Sequence, residues 1–395
     1  WMPAFAVVSG EGPGRTGNSV ANWMTDAWAK GLRDFDFKKA YEGMRKGSLE
    51  ATLLPWNNGP ATSLDSFYNE KGYMPGLYPG EKETVKEVDP HWEKRQCVSV
   101  TIDNSYSDWC IAQMADYDNN VQDRDLFLKR SLYYRNVFRE EKGFVWPKDK
   151  DGKWIEPYDP RFAGREYFTE NNAYIFNWSA KHDLQGLFRL MGGKEKAEAK
   201  LDQLYREDLG LAKYKFWHTQ PDASGLVGQY VMGNEPALHI PYLYNYLGAP
   251  WKTQKRIRML LDTWFTDNLF GMPGDEDGGG MSSFVVFSMM GFFPVTAGIP
   301  IYNIGSPVFS KVSIDLPDGK QFIISAPDNS GKNKYIQSAG LNGRNLTKCW
   351  FTHDDLIKGG RLELQMGEKP NPAWGSEDSE TPPSSNEYRS ISKNH

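Results

Sequence analysis

Apolar residues recur at every third or fourth position from about residue 17 to residue 295, and that period predicts a helical body. The spacing predicts helices near 20–30, 37–46, 105–114, 124–138, 172–190, 194–204, 236–247, 253–269 and 281–292. Their ends carry stop signals: Gly31 follows the first, Gly192 and Gly193 close the 172–190 segment, and Gly248-Ala249-Pro250 closes 236–247. The helices follow one another in pairs, as in a helical toroid. Between them run long connections rich in Gly and Pro, notably 56–87 and 144–165. Loops of that length in a compact domain usually serve a function, and the Trp, Tyr and Pro in these predict ordered walls of a pocket.

After Phe293-Pro294 the period shortens to two. Alternating segments at 299–304, 311–316, 321–325, 335–341 and 361–365, bounded by Gly, Asp, Asn and Pro, predict short antiparallel strands. From Gly367 onward Ser, Glu, Pro and Asn dominate, and the end reads as flexible or loosely docked. The expected organisation is a helical domain over 1–294, a small antiparallel β region over 295–368 and a partly flexible tail over 369–395, mainly α and α+β as a whole.

Composition narrows the function classes. Forty-six basic against 51 acidic side chains leave a net charge of −5, so there is no electrostatic footprint for nucleic acid or an anionic membrane. No run approaches the roughly 18 consecutive apolar residues of a membrane span. Cys97, Cys110 and Cys349 are too few for a disulfide framework and lack zinc-site spacing. The 14 Trp, 20 Tyr and 21 Phe change the picture more. They fit a large helical core, or a carbohydrate site, because the CH face of a sugar stacks on a flat aromatic ring.

Asp275, Glu276 and Asp277 stand in the turn PGDEDGGG directly before an apolar helix. One cap uses one carboxylate. Three, followed by glycines that leave the backbone open, point to a ligand as well. Glu170 precedes another apolar helix, where Thr169 is the expected cap. At 233–236 the turn Gly-Asn-Glu-Pro opens a third helix with Pro236 at its first position. Capping explains that turn too, although Asn234 and Glu235 also suit a hard cation such as calcium. His182, His218 and His239 are isolated and not spaced as zinc ligands. No P-loop and no nucleophile elbow occurs, and GPGRTG at 12–17 reads as a turn. Carboxylates gathered at helix starts in an aromatic-rich helical domain favour glycoside hydrolysis, in which two carboxyl groups flank the scissile bond.

At these residues the sequence resembles glycoside hydrolase family 92, the calcium-dependent exo-acting α-mannosidases. The resemblance runs through VSVTIDNSYSDWCIAQMA, YFTENNAYIFNWSAKHDLQGL and GQYVMGNEPALHIPYLYNYLGAPWKTQ, is strongest in PGDEDGGGMSSFVVFSMMGFFPVTAGIPIYNIGSPVF, and covers 15 to about 368. It implies an (α/α)6 barrel packed against a β-sandwich and hydrolysis that inverts the anomeric centre. Glu170 would be the general acid, and Asp275 and Asp277 the base. Asn171, Trp217, His218 and His239 would contact the sugar, while calcium, with Asn234 and Glu235 among its ligands, would help distort the ring. The substrate would be a terminal α-mannoside, as on N-glycans, and the location secreted, periplasmic or otherwise extracytoplasmic.

Three departures from the family pattern leave the linkage open. Tyr174 and Ile175 replace Trp and Gln after the acid, Leu238 replaces a His, and Thr219 lacks the carboxylate of α1,2-specific members. Family members also carry an N-terminal β-sandwich ahead of the point where this chain begins. The expectation is therefore a fragment, or one chain of a processed enzyme that stays with its N-terminal part. Two alternatives stand beside this reading: another (α/α)6 carbohydrate-active enzyme, and a non-catalytic glycan-binding relative or inactive fragment.

Overall fold

The computed structural model describes residues 14–220, 223–274 and 276–384, with 5–7, 10–12 and Asp277 given by backbone alone. In chain order the α-helices are α1 (Ser19–Ala29), α2 (Phe37–Leu49), α3 (Ser63–Lys71), α4 (Cys97–Tyr117), α5 (Val121–Arg130), α6 (Ala173–Phe176), α7 (Leu184–Leu190), α8 (Lys194–Leu204), α9 (Lys213–Thr219), α10 (Pro250–Trp264), α11 (Gly280–Met290) and α12 (His353–Ile357). The chain forms two compact units, residues 1–193 with 207–221 and residues 194–206 with 222–395. The change from helix to strand near residue 294 falls inside the second.

In the first unit α4 runs through the core, with α1, α2 and α5 packed on it. It is buried on nearly every side although its sequence is rich in Ser, Thr and Asn. Those side chains bond to carbonyls one turn back: Thr101 to Cys97 (2.8 Å), Asn104 to Val100 (2.8 Å), Ser105 to Thr101 (2.7 Å) and Ser107 to Asp103 (3.0 Å). A polar helix can thus cross a core without orphaned groups. An ionic knot ties four helices together. Arg130 of α5 donates from Nε to Asp108 of α4 at 2.8 Å, from Nη2 to the Ser48 carbonyl of α2 at 3.2 Å, and from Nη1 to Asn69 of α3.

Three of the expected helices are broken. The 124–138 segment leaves the α-helix at Arg130 and goes on as a 3₁₀ turn over Tyr133–Val137. The 172–190 segment stops at Phe176, where Asn177 turns to accept from the Val145 amide (3.0 Å) and donate to the Gly143 carbonyl (3.3 Å). It restarts at α7, capped by Asp183 accepting from the Gly186 amide at 3.1 Å. The 236–247 segment is a pair of 3₁₀ turns, Glu235–Ala237 and Ile240–Asn245. Pro241 has no N–H to give and its ring crowds the carbonyl four residues back, so a regular α-helix cannot pass through it.

In the second unit the strands Arg344–Asn345, Tyr335–Leu341, Gly360–Gly367, Gln321–Ser325 and Lys311–Asp315 form one sheet in that order. The expectation of purely antiparallel pairing is corrected at one place, since Gln321–Ser325 runs parallel to Gly360–Gly367. Parallel neighbours need a long crossover; here it contains Tyr335–Leu341, Trp350–Thr352 and α12. Phe322, Ile324, Leu362, Leu364 and Met366 are buried while Gln321, Arg361 and Glu363 are exposed, as the alternation requires. α10 packs against this sheet: Gln254 accepts from the Ile336 amide at 3.0 Å, and Arg258 donates to the Pro307 carbonyl at 2.8 Å. The chain after the last strand docks on the same unit, with Trp374 buried and donating to the Leu346 carbonyl at 3.0 Å. Residues 385–395, the end expected to be flexible, lie outside the described residues. All three cysteines are buried and free.

Candidate active site

Glu170 sits where a loop is pinned to α4. The Thr169 amide donates to Ser99 Oγ at 2.9 Å, and the helix that follows is capped by Asn172, which accepts from the Tyr174 amide at 3.0 Å. Capping therefore belongs to Asn172, not to Thr169 as the sequence suggested. The Glu170 carboxylate forms an ion pair with Arg15, from the turn at 14–17 that carried no functional signal in the sequence. Thr16 donates to Asp103 of α4 and stands 3.1 Å from the Thr169 hydroxyl. Burial pushes the Asp103 carboxyl up to about 6, against the Thr16 hydrogen bond and the Lys181 charge, which hold it down. Burial in turn lowers Lys181, opposed by Asp103. Three distant segments thus meet in one polar cluster around Glu170.

The neighbouring Asn171 is wholly buried and accepts a hydrogen bond from Gln220, the C-cap of α9. That bond ties the Glu170 segment to α9, whose Trp217 and His218 are exposed, with Lys213 Nζ 4.6 Å above the Trp217 ring. Glu170, Asn171, Trp217 and His218 belong to the first unit.

The remaining candidates belong to the second unit, where two turns meet. Gly274 adopts a φ of +74°, and a Cβ there would lie 1.9 Å from the Gly233 carbonyl oxygen. Only glycine permits that approach, which lays the Asn234–Glu235 turn against the PGDEDGGG turn. Glu276 accepts from the Ser282 amide (3.2 Å) and hydroxyl (3.0 Å), so it is the carboxylate that satisfies the start of α11. Glu235 stands beside the same helix start, its Cγ 3.4 Å from where a Cβ on Gly280 would be. The positive end of the helix dipole favours both carboxylates. Asp275 lies outside the described residues, and Asp277 begins the short turn Asp277–Gly279. Asn234 is buried with Nδ2 3.4 Å from Glu235 Oε2, and His239 is buried in the next turn. Among the described residues no three His, Cys, Asp or Glu side chains converge to hold a metal. The side-chain oxygens of Asn234 and Glu235 are of the kind a hard cation takes, and a calcium ion needs six to eight such donors.

A model of the glycosyl hydrolase family 92 catalytic domain matches residues 1–368. The chain belongs to this family. A family 92 inverting mannosidase from Bacteroides thetaiotaomicron VPI-5482 is 35% identical, with a TM-score of 0.83 over 98% of this chain and 50% of its own. A family 92 α-mannosidase from the same species is 31% identical, with a TM-score of 0.79 over 93% of this chain and 45% of its own. A protein of Arthroderma benhamiae described as an uncharacterized secreted glycosidase is 28% identical over 97% of this chain and 49% of its own. The chain spans about half the length of these relatives.

Proposed function

We propose that the chain carries the catalytic chemistry of an exo-acting α-mannosidase that inverts the anomeric centre. Its support is the family 92 match over residues 1–368, together with a carboxylate, Glu170, that is released from capping and set among hydrogen-bonding side chains. Glu170 would give its proton to the departing glycosidic oxygen, and Asp275 and Asp277 would take a proton from the attacking water. Inversion requires those carboxyl groups to stand roughly 6.5–9.5 Å apart. The acid role requires Glu170 to carry a proton when the glycoside is bound, and the Arg15 guanidinium is its ion-pair partner in this structure. Asn171, His218 and His239 would hold sugar hydroxyls, and the exposed Trp217 would offer a stacking face.

Calcium, with Asn234 and Glu235 among its ligands, would supply a cation for sugar hydroxyls and favour ring distortion. The (α/α)6 arrangement, an N-terminal β-sandwich partner and an extracytoplasmic location belong to the same proposal. The last is supported by the fungal relative's description as secreted; no helix among the described residues is long and apolar enough to cross a membrane. The Arg15 ion pair favours a second reading, a glycan-binding relative without turnover. Assay of mannose release from α-mannobiosides by wild type and Glu170→Gln separates the two. The catalytic reading expects a loss of about 10²- to 10⁴-fold in the variant, and an unchanged rate would remove the acid role.

A further inference from the structure

The first unit contains a cleft of about 560 Å³ that the catalytic assignment does not use. Its walls come from the two long loops, with Tyr78, Arg95, Phe162, Glu166 and Tyr167 among the lining residues, and Glu170 is not one of them. The volume is within the range of sites that enclose small molecules. We infer that this cleft is a second carbohydrate subsite, which holds a further sugar of the glycan whose terminal residue is cleaved at Glu170. The ligand class rests on the α-mannosidase reading; the cleft's chemistry supports it independently in three ways.

First, two of its aromatic rings, Tyr78 and Phe162, are accessible, and the buried Tyr167 stands next to Phe162. Tyr78 is 36% exposed with its hydroxyl held by Asp149 at 3.1 Å, while Tyr167 is buried at 2% exposure and anchored through its hydroxyl to the Leu77 carbonyl at 2.9 Å. Phe162 is 42% exposed, its ring 6.3 Å from Tyr167. A sugar can stack on such faces without ordering them first, which removes part of the entropic cost of binding.

Second, most of the charges around the cleft are matched to one another. Arg95 grips Glu83 with two bonds of 2.6 and 2.8 Å, and Lys94 pairs with Glu166. Asp159 is held by Arg161 at 2.9 Å. The lining carries four carboxylates (Glu81, Glu83, Asp159, Glu166) against three cations (Lys82, Lys94, Arg95), so its charges nearly balance and it presents polar edges beside aromatic faces. A neutral polyhydroxylated ring has that chemistry.

Third, the cleft adjoins the acid along the chain. The Tyr167 carbonyl accepts from the Val98 amide at 3.0 Å, and Thr169 is pinned to Ser99. Glu170 is the third residue after Tyr167, a span of at most about 10 Å. One oligosaccharide can reach both.

The test compares Phe162→Ala with wild type on an aryl α-mannoside and on an α-mannotrioside, with Phe162→Trp as the rescue. For the trioside, KM should rise roughly three- to tenfold in Phe162→Ala, the scale of one aromatic contact, with kcat unchanged. The aryl mannoside KM should not move, and Phe162→Trp should restore the trioside value. Equal KM changes for both substrates, or none for the trioside, would overturn the subsite. Should wild type release no mannose from either, the catalytic reading falls. The subsite would then be judged by calorimetric titration with the same trioside, where weaker binding by Phe162→Ala supports it and equal binding overturns it.

Discussion

Removing Arg130 tests what holds the core helix α4, and with it the Glu170 cluster, in place. Asp108 and Arg130 side chains are 0% and 3% exposed, and their 2.8 Å bond is backed by Ser48 Oγ at 2.6 Å from the second carboxylate oxygen. Arg130→Met would leave a buried carboxylate whose remaining partner is that hydroxyl. Breaking one side of a buried pair costs about 3–5 kcal/mol, whereas replacing both partners by apolar side chains is often near neutral. Arg130→Met should therefore lose about 3–5 kcal/mol in urea unfolding followed by Trp fluorescence, and Asp108→Leu/Arg130→Met should recover most of it. The pH dependence supplies a second check. Burial, working against the Arg130 charge, already raises the Asp108 carboxyl, and without Arg130 it rises further. The native state then binds that proton more tightly than the unfolded chain, so the deficit should shrink as pH falls from 8 to 5. A loss below about 1 kcal/mol, or a deficit that ignores pH, would refute the argument.

Other outcomes follow from the same structure. His182 donates from Nε2 to the Ser131 carbonyl at 2.8 Å between aromatic rings, and burial lowers it to about 4. Its neutral form is native while the unfolded chain binds a proton near 6.5, so stability is lost as pH falls through that window, by roughly 3 kcal/mol at pH 4. Melts of His182→Gln between pH 7 and 4 should show a flatter acid slope; an identical slope would exclude His182 as its source. Asp277→Asn should slow mannoside turnover about 10²- to 10⁴-fold without changing the thermal midpoint, and wild-type rates would strike Asp277 from the base. A chelator should abolish turnover and added calcium should restore it, while full activity in excess chelator would remove the cation from the proposal.

The sequence pattern and the structure agree end to end at Lys194–Leu204, Gln321–Ser325 and Tyr335–Leu341, where period and turn signals coincide. α4 extends well beyond the expected 105–114 because its polar residues bond back to their own helix, which hides their helical character in a hydropathy pattern. α3 is short and weakly patterned; its readable sign was the Thr62–Asp65 capping box. Glu170 and the acidic turn were legible because motifs are local. Arg15, Thr16 and Asp103 were not, since the Thr16–Asp103 contact joins positions 87 residues apart. A carboxylate one helical turn from Ser99 on a buried helix was the available hint at Asp103.

The most direct test of the mechanism is to follow, by proton NMR, the anomer of mannose first released from an aryl α-mannoside. Inversion predicts β-mannose at the earliest time points, with the α form appearing only at the rate of mutarotation. Initial α-mannose, or no mannose from folded enzyme supplied with calcium, would contradict it.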